Sequence, residues 1–180
     1  MSQRIGRMAV FLALFALTTG FDQGSKQWAR TLPVSPAGCD LPADLIAHRC
    51  AGVPVPVIEG HWDWELAMNP GAAFSSFAGG AGTQIVLSIL AMLALVGIGV
   101  VAARTAPEQR LQRFALAMIG GGALGNLIDR LRDGAVTDFV RWRWNEHAWP
   151  IFNVADAALL LGAVLLVADG ALAYRRRAPA

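Results

Sequence analysis

The sequence predicts an all-α membrane bundle of four transmembrane helices carrying a small extracytoplasmic β-cradle or cap. Three observations predict it. The chain is 55% hydrophobic and only 16% charged, with a mean hydropathy of +0.46, values shifted from ordinary globular domains toward the membrane class. Apolar stretches of about membrane length recur near residues 8–30, 85–103, 114–130 and 152–174, close to the roughly 20 residues needed to cross a hydrocarbon core. Between and within the last two stretches, GGALGNLIDRLRDGAVTDFVRWRWNEHAWPIFNVAD crowds carboxylates and amides against apolar segments. Ionisable groups at such a boundary are functional suspects, since each is costly to desolvate unless it is paired or faces a wet cavity.

The first helix begins after Arg4 and Arg7 with the apolar run Met8 to Phe21. A signal peptide would start the same way, but Asp22, Lys26 and Arg30 follow where a cleavage site belongs, so an uncleaved helix continuing amphipathically through FDQGSKQWA is expected. From 31 to 83 the chain carries Pro33, Pro36, Pro42, Pro54, Pro56 and Pro70, which forbid a long helix. Within that segment PVPVIEGHWDWELAM alternates partially and is rich in β-branched and aromatic residues, the pattern of a small sheet or hairpin. Cys39 and Cys50 also lie there, without metal spacing; outside the cytoplasm they are as well placed for a disulfide as for two free thiols. Ile85 to Ala103 is 19 residues without a charge and is the clearest spanning helix. In the third, Gly120, Gly121, Gly122 and Gly125 suit close helix packing in lipid. The fourth ends on Arg175, Arg176 and Arg177. A loop over 131–151 joins the last two, and all 180 residues are expected in one integral membrane domain.

The arginines set the orientation. Arg4 and Arg7, then Arg104, Arg110 and Arg113, then the terminal triple share one side if there are four crossings, and that side is cytoplasmic by the positive-inside rule. Both termini are then inside. Asp22 and Lys26 on helix one, Asn126, Asp129 and Arg130 on helix three, Asp138 in the loop, and Asn153 and Asp156 on helix four all reach one depth near the outer leaflet. The further basic residues Arg132, Arg141 and Arg143 are balanced by Asp133 and Glu146 and read as site chemistry or headgroup contact.

Several chemistries are excluded. There is no GxSxG, and Ser25, Ser75, Ser76 and Ser88 have no evident histidine partner. There is no HExxH, and His48, His61 and His147 are scattered, so neither a metal nor another cofactor is implied. A net charge of +2 spread over several clusters gives no support to nucleic-acid binding. Carboxylates remain, and two of them sharing one proton can serve as an acid and base pair. A small transporter or proton relay lined by Asp22, Asp129, Asp138 and Asp156 is the alternative, although a relay should continue to the other face. A structural subunit whose polar residues merely satisfy one another is the third reading.

Five blocks in order decide among these: DQGSK at 22–26, NPGAAFS at 69–75, GGALGNLIDR at 121–130, GAVTDF at 134–139 and FNVADAA at 152–158. With them the chain resembles the lipoprotein signal peptidases, the type II signal peptidases of the bacterial inner membrane, over most of its length. The resemblance implies an aspartic endopeptidase that removes the signal peptide from diacylglyceryl-modified prolipoproteins just before the lipidated cysteine. It implies a catalytic dyad at Asp138 and Asp156, one carboxylate taking a proton from the attacking water and the other donating. It places Asn69, Gly71, Asn126, Arg130 and Asn153 at positions that hold the substrate or the dyad, Asp22 and Lys26 at the end of helix one, and Asp129 in support of Arg130. Expected partners are lipidated precursors and membrane lipids, with the enzyme a monomer. Two departures stand out: the segment around Cys39 and Cys50 is longer than the family pattern, and Met68 occupies a position where a basic residue often precedes the NxGAAF block.

Overall fold

The structure is a computed structural model that describes residues 2–71, 81–106, 108–144 and 147–177. Residues 72–75 of the NPGAAFS block, Ser76 and Glu146 lie outside the described residues. Long helices are α1 (Ser2–Ala29), α3 (Ala81–Arg104), α4 (Arg110–Asp133) and α5 (Val154–Arg177); α2 (Ala43–Ile46) is a single turn. Helices α3 and α4 extend past their expected apolar stretches at both ends, while α1 begins earlier and α5 ends later than expected, because hydrogen bonding carries a helix beyond its apolar part. Gly82–Arg104 and Val154–Arg175 are long and apolar enough to cross a membrane. Their side chains, among them Leu93, Val96, Leu160 and Val167, are largely exposed, as lipid-facing residues are. The other two long helices do not meet that test of composition among the described residues, since Asp22 and Lys26 interrupt α1 and Asn126, Asp129 and Arg130 interrupt α4.

Helix α4 is central and packs against α1, α3 and α5. Its glycines let the neighbouring backbones approach. A Cβ at Gly121 would lie 2.6 Å from Thr18 Cβ on α1, and one at Gly122 would lie 2.6 Å from the carbonyl oxygen of Ala155 on α5. At Gly125 it would collide with the Asp22 carboxylate. Thr19 Oγ1 uses the close approach to donate to the Gly121 carbonyl at 3.1 Å.

Beside one end of this bundle lies a four-stranded antiparallel sheet, ordered β3 (Val55–Ile58), β4 (Trp62–Asn69), β5 (Val136–Trp144) and β6 (His147–Ala148). A two-stranded pair, β1 (Val34–Ser35) with β2 (Ala51–Gly52), lies next to it, and the disulfide Cys39–Cys50 closes the intervening loop. Strands β3 and β4 form the hairpin that PVPVIEGHWDWELAM predicts. The expected loop over 131–151 is different: it contains the end of α4, then β5 and β6. The first half of β5 is buried on both faces, so its sequence shows no alternation, whereas Arg141-Trp142-Arg143-Trp144 alternates half-buried and exposed. The sheet packs on the end of α1 through Leu66, Met68, Phe139 and Val140 with Ala29, and Ala135 joins the cluster from the turn before β5. Trp28 stands edge-on to Trp64 and Phe139, with centroids 5.1 and 5.9 Å away.

Two local features aim the chain at the site. Gly134, in the left-handed conformation (φ 69°), ends α4 and turns the backbone into β5. Phe152 then pairs with β5, its carbonyl accepting from the amides of Phe139 (3.1 Å) and Val140 (2.8 Å), which lays the start of α5 against that strand.

Candidate active site

Asn153 and Asp156 meet first as a helix cap. Asn153 Oδ1 accepts from the Asp156 amide at 3.0 Å, and Asp156 Oδ2 accepts from the Asn153 amide at 3.3 Å. This reciprocal arrangement satisfies two donors that a helix start leaves unpaired. Because the Asn153 oxygen is engaged, its amide nitrogen is free to donate outward, to Asp138 Oδ1 at 2.6 Å and to Asn126 Oδ1 at 3.2 Å.

Asp138 sits on β5, opposite Ala67 of β4, not in a loop as the sequence suggests. Asn69 lies diagonally across the ladder, two residues beyond Ala67, within side-chain reach. Its Nδ2 donates to Asp138 Oδ2 at 3.1 Å. The Gly71 amide donates to Asn69 Oδ1 at 3.1 Å, which fixes the orientation of the Asn69 side chain. Both Asp138 oxygens are thus held by asparagines, and the residue is 3% exposed.

Lys26 orients the other half. Its ammonium, which can only donate, contacts Asp22 Oδ2 at 2.8 Å, Asn126 Oδ1 at 2.8 Å and Asp129 Oδ2 at 3.3 Å. With its oxygen turned to the ammonium, Asn126 presents Nδ2 to Asp156 Oδ1 at 2.8 Å. Asp22 also accepts from the Ala155 amide at 2.9 Å, tying α1 to the first turn of α5. Asp22, Lys26 and Asp129 are all fully buried. Such a set is tolerable only because each charge is paired and hydrogen-bonded.

Asp129 makes its hydrogen bonds away from Arg130. It faces α1 and β5, accepting from Gln23 Nε2 (3.1 Å) and the Thr137 amide (2.9 Å) as well as from Lys26. Arg130 Nη1 donates to the Asn126 carbonyl at 3.3 Å, and its Nε is buried without a partner. The other arginines of this region form ion pairs: Arg132 with Asp133, Arg141 with Glu65 and Arg143 with Asp63. Ser25 Oγ donates to the Asp22 carbonyl within its own helix.

Burial pushes the Asp138 carboxyl up, and the nearby Asp156 charge pushes it further, to about 7; the Asn69 and Asn153 amides and Lys26 oppose this. Asp156 is half-buried. A carboxyl group that keeps its proton to about neutral pH can serve as the acid of an acid and base pair with a second carboxyl group beside it. Among the described residues no cluster of histidine, cysteine or carboxylate side chains could hold a metal ion.

All the expected site residues converge here except that Asp22, Lys26 and Asp129 form a buried layer behind Asp138 and Asp156. Three further residues belong to that layer: Gln23, Arg30 and Thr137. The four-residue spacing of Asp22, Lys26 and Arg30, which puts them on one face of α1, is the signal that could have found Arg30.

The family model described as signal peptidase (SPase) II matches residues 14–172. The chain belongs to the signal peptidase II family. Curated members similar to it include the "Lipoprotein signal peptidase" of Xanthomonas axonopodis pv. citri (strain 306), 39% identical over 174 residues that cover 94% of this chain and 91% of that one. The "Lipoprotein signal peptidase" of Xylella fastidiosa (strain 9a5c) is 35% identical over 156 residues, covering 86% and 84%. A bacterial membrane enzyme solved in meso at 2.3 Å resolution shares the fold, with a TM-score of 0.74 at 22% identity over 96% of this chain and 93% of that one. Membership of the signal peptidase II family, with two apolar helices whose sides are exposed, makes this a membrane protein and a protease.

Proposed function

We infer that this chain is a lipoprotein signal peptidase that acts on prolipoproteins, and we propose that it cleaves them as an aspartic endopeptidase with Asp138 and Asp156 as its dyad. The observation that carries the catalytic type is the pair itself: a buried carboxyl raised to about 7 beside a half-buried one, linked through Asn153.

In the cycle we favour, Asp156 takes a proton from a water as its oxygen attacks the scissile carbonyl, and Asp138 gives its proton to the carbonyl oxygen. The gem-diol then collapses: a hydroxyl proton returns to Asp138, and Asp156 passes its proton to the leaving amine. Protons balance, and the dyad returns to its starting state. Asn126 and Asn153 orient the carboxylates, Asn69 with Gly71 holds Asp138, and the donors of Arg130 that face no partner serve the substrate backbone. Asp22, Lys26 and Asp129 keep the three helices in register behind the dyad.

The same reading makes all 180 residues one membrane domain crossing four times. The polar ends of α1 and α4 are satisfied inside the bundle, which is how helices too polar by composition can span. Arginine clusters put both termini in the cytoplasm of the inner membrane, with the dyad near the outer leaflet and the sheet outside. The enzyme works as a monomer among membrane lipids on diacylglyceryl-modified precursors, cutting before the lipidated cysteine.

Cleavage of a diacylglyceryl-modified precursor peptide by the purified protein, with no added cofactor, tests the activity. Release of the signal peptide is expected, and an absence of cleavage by folded protein would overturn it. A C-terminal fusion reporter active only outside the cytoplasm would overturn the topology.

A further inference from the structure

We propose that Arg30 is a positioning residue for the cleavage reaction, holding Asp138 in place through a bond to the neighbouring Thr137. The proposal rests on the reading of Asp138 as catalytic. Arg30 follows the last residue of α1, and its Nη2 donates both to Asp133 Oδ2 at 2.5 Å and to Thr137 Oγ1 at 2.7 Å. Asp133 is the last residue of α4 and Thr137 the second of β5, so one guanidinium clasps the two ends of the turn that Gly134 makes.

Thr137 is fixed from two further directions. Its amide donates to Asp129 Oδ2 at 2.9 Å, and its hydroxyl contacts Met68 Sδ on β4 at 3.7 Å. It is fully buried, and the next residue along the strand is Asp138. Successive side chains of a strand point to opposite faces, so the clasp acts from behind the sheet and touches neither the dyad nor a substrate placed against it. A cavity of about 230 Å³ lies beside the clasp, lined by Arg30, Leu41, Pro42, Leu45, Leu66 and Met68, so the Arg30 side chain has room to shift if its polar bonds are lost.

A misplacement of about 1 Å in a reacting group costs on the order of 10²-fold in rate, while substrate binding through other residues is retained. The test is steady-state cleavage of a diacylglyceryl-modified precursor by full-length purified Arg30→Met, Arg30→Lys, Thr137→Val and Thr137→Ser proteins, with melting temperature measured alongside. Arg30→Met and Thr137→Val are each expected to lower kcat about 10- to 100-fold at unchanged KM, and their combination to be no worse than the poorer single variant by more than about twofold, as members of one unit behave. Thr137→Ser, which restores the acceptor, should stay within about threefold of the parent, and Arg30→Lys should fall between parent and Arg30→Met. Thr137→Val preserves shape and decides the matter alone if Arg30→Met fails to fold. A Thr137→Val protein with parental kcat, or one altered only in KM, would overturn the proposal. Asp138→Asn run in parallel separates the two claims: if it is inactive while Thr137→Val is normal, only the clasp is refuted, and if it cleaves normally, the aspartyl reading falls.

Discussion

Replacing Lys26 with methionine removes the one ammonium shared by Asp22, Asp129 and Asn126 while keeping much of the side chain's volume. Lys26 is 1% exposed and both carboxylates are fully buried, so water cannot take over its role without opening the bundle. Breaking a buried ion pair by deleting one partner costs about 3–5 kcal/mol, because it strands the other charge. Here each carboxylate keeps other donors: Asp22 has Gln23 and the Ala155 amide, and Asp129 has Gln23 and the Thr137 amide. The low end, about 3 kcal/mol, is therefore expected. For a chain of this size that corresponds to a fall in Tm of about 6–12 °C, taking about 2–4 °C per kcal/mol. Activity should fall as well in the fraction that stays folded, since Asn126 would no longer be turned toward Asp156. Thermal unfolding in detergent, followed by helicity, measures the first effect, and cleavage below the transition measures the second. A Lys26→Met protein melting within about 2 °C of the parent with normal cleavage would refute this view of the polar core.

Since Asp138 must carry a proton and its carboxyl is raised to about 7, cleavage should decline as pH rises through about 7; a pH profile flat to pH 9 would contradict this. The sign for stability follows from the same shift: the folded protein holds a proton that the unfolded chain loses near 3.8, so stability should fall between about pH 4 and 7 and level off above, a slope that unfolding of Asp138→Asn should lack. Gly122→Ala places a Cβ against the Ala155 carbonyl and should destabilise the protein by about 1–3 kcal/mol and slow cleavage by shifting the start of α5, as unfolding and kinetic assays would show. The Cys39–Cys50 bridge predicts that neither cysteine is alkylated until the protein is reduced, and that its loss lowers Tm without lowering kcat, because the loop it closes stands apart from the dyad.

Helices were legible because long apolar stretches and charge clusters are local signals. The residues of the site were legible as motif blocks, and their convergence followed from placing the ends of three helices at one level. What escaped was non-local. Strand β5 has no alternation in its first half, since both faces of Val136 to Val140 are covered, and nothing in VTDFV marks it as the partner of β4. Asp129 adjoins Arg130 in sequence, whereas its ion pair and hydrogen bonds run to Lys26, Gln23 and Thr137, partners that only the fold brings to it. The roles of Arg141 and Arg143 likewise depend on the register that sets them near Glu65 and Asp63. The double duty of Asn153 and Asp156 rests on a local pattern, an N-cap with an acid three residues on, that a helix start alone would also explain.

The most direct measurement is single-turnover cleavage of a diacylglyceryl-modified precursor by Asp138→Asn, Asp156→Asn and the double variant, each checked for helicity and Tm. Asparagine keeps the size of the carboxylate but cannot exchange its proton. An aspartyl dyad predicts a fall of about 10²- to 10⁴-fold for either single variant, with the double variant little worse, since both groups act in one proton-transfer cycle. Near-normal turnover by well-folded Asp138→Asn or Asp156→Asn protein would contradict it.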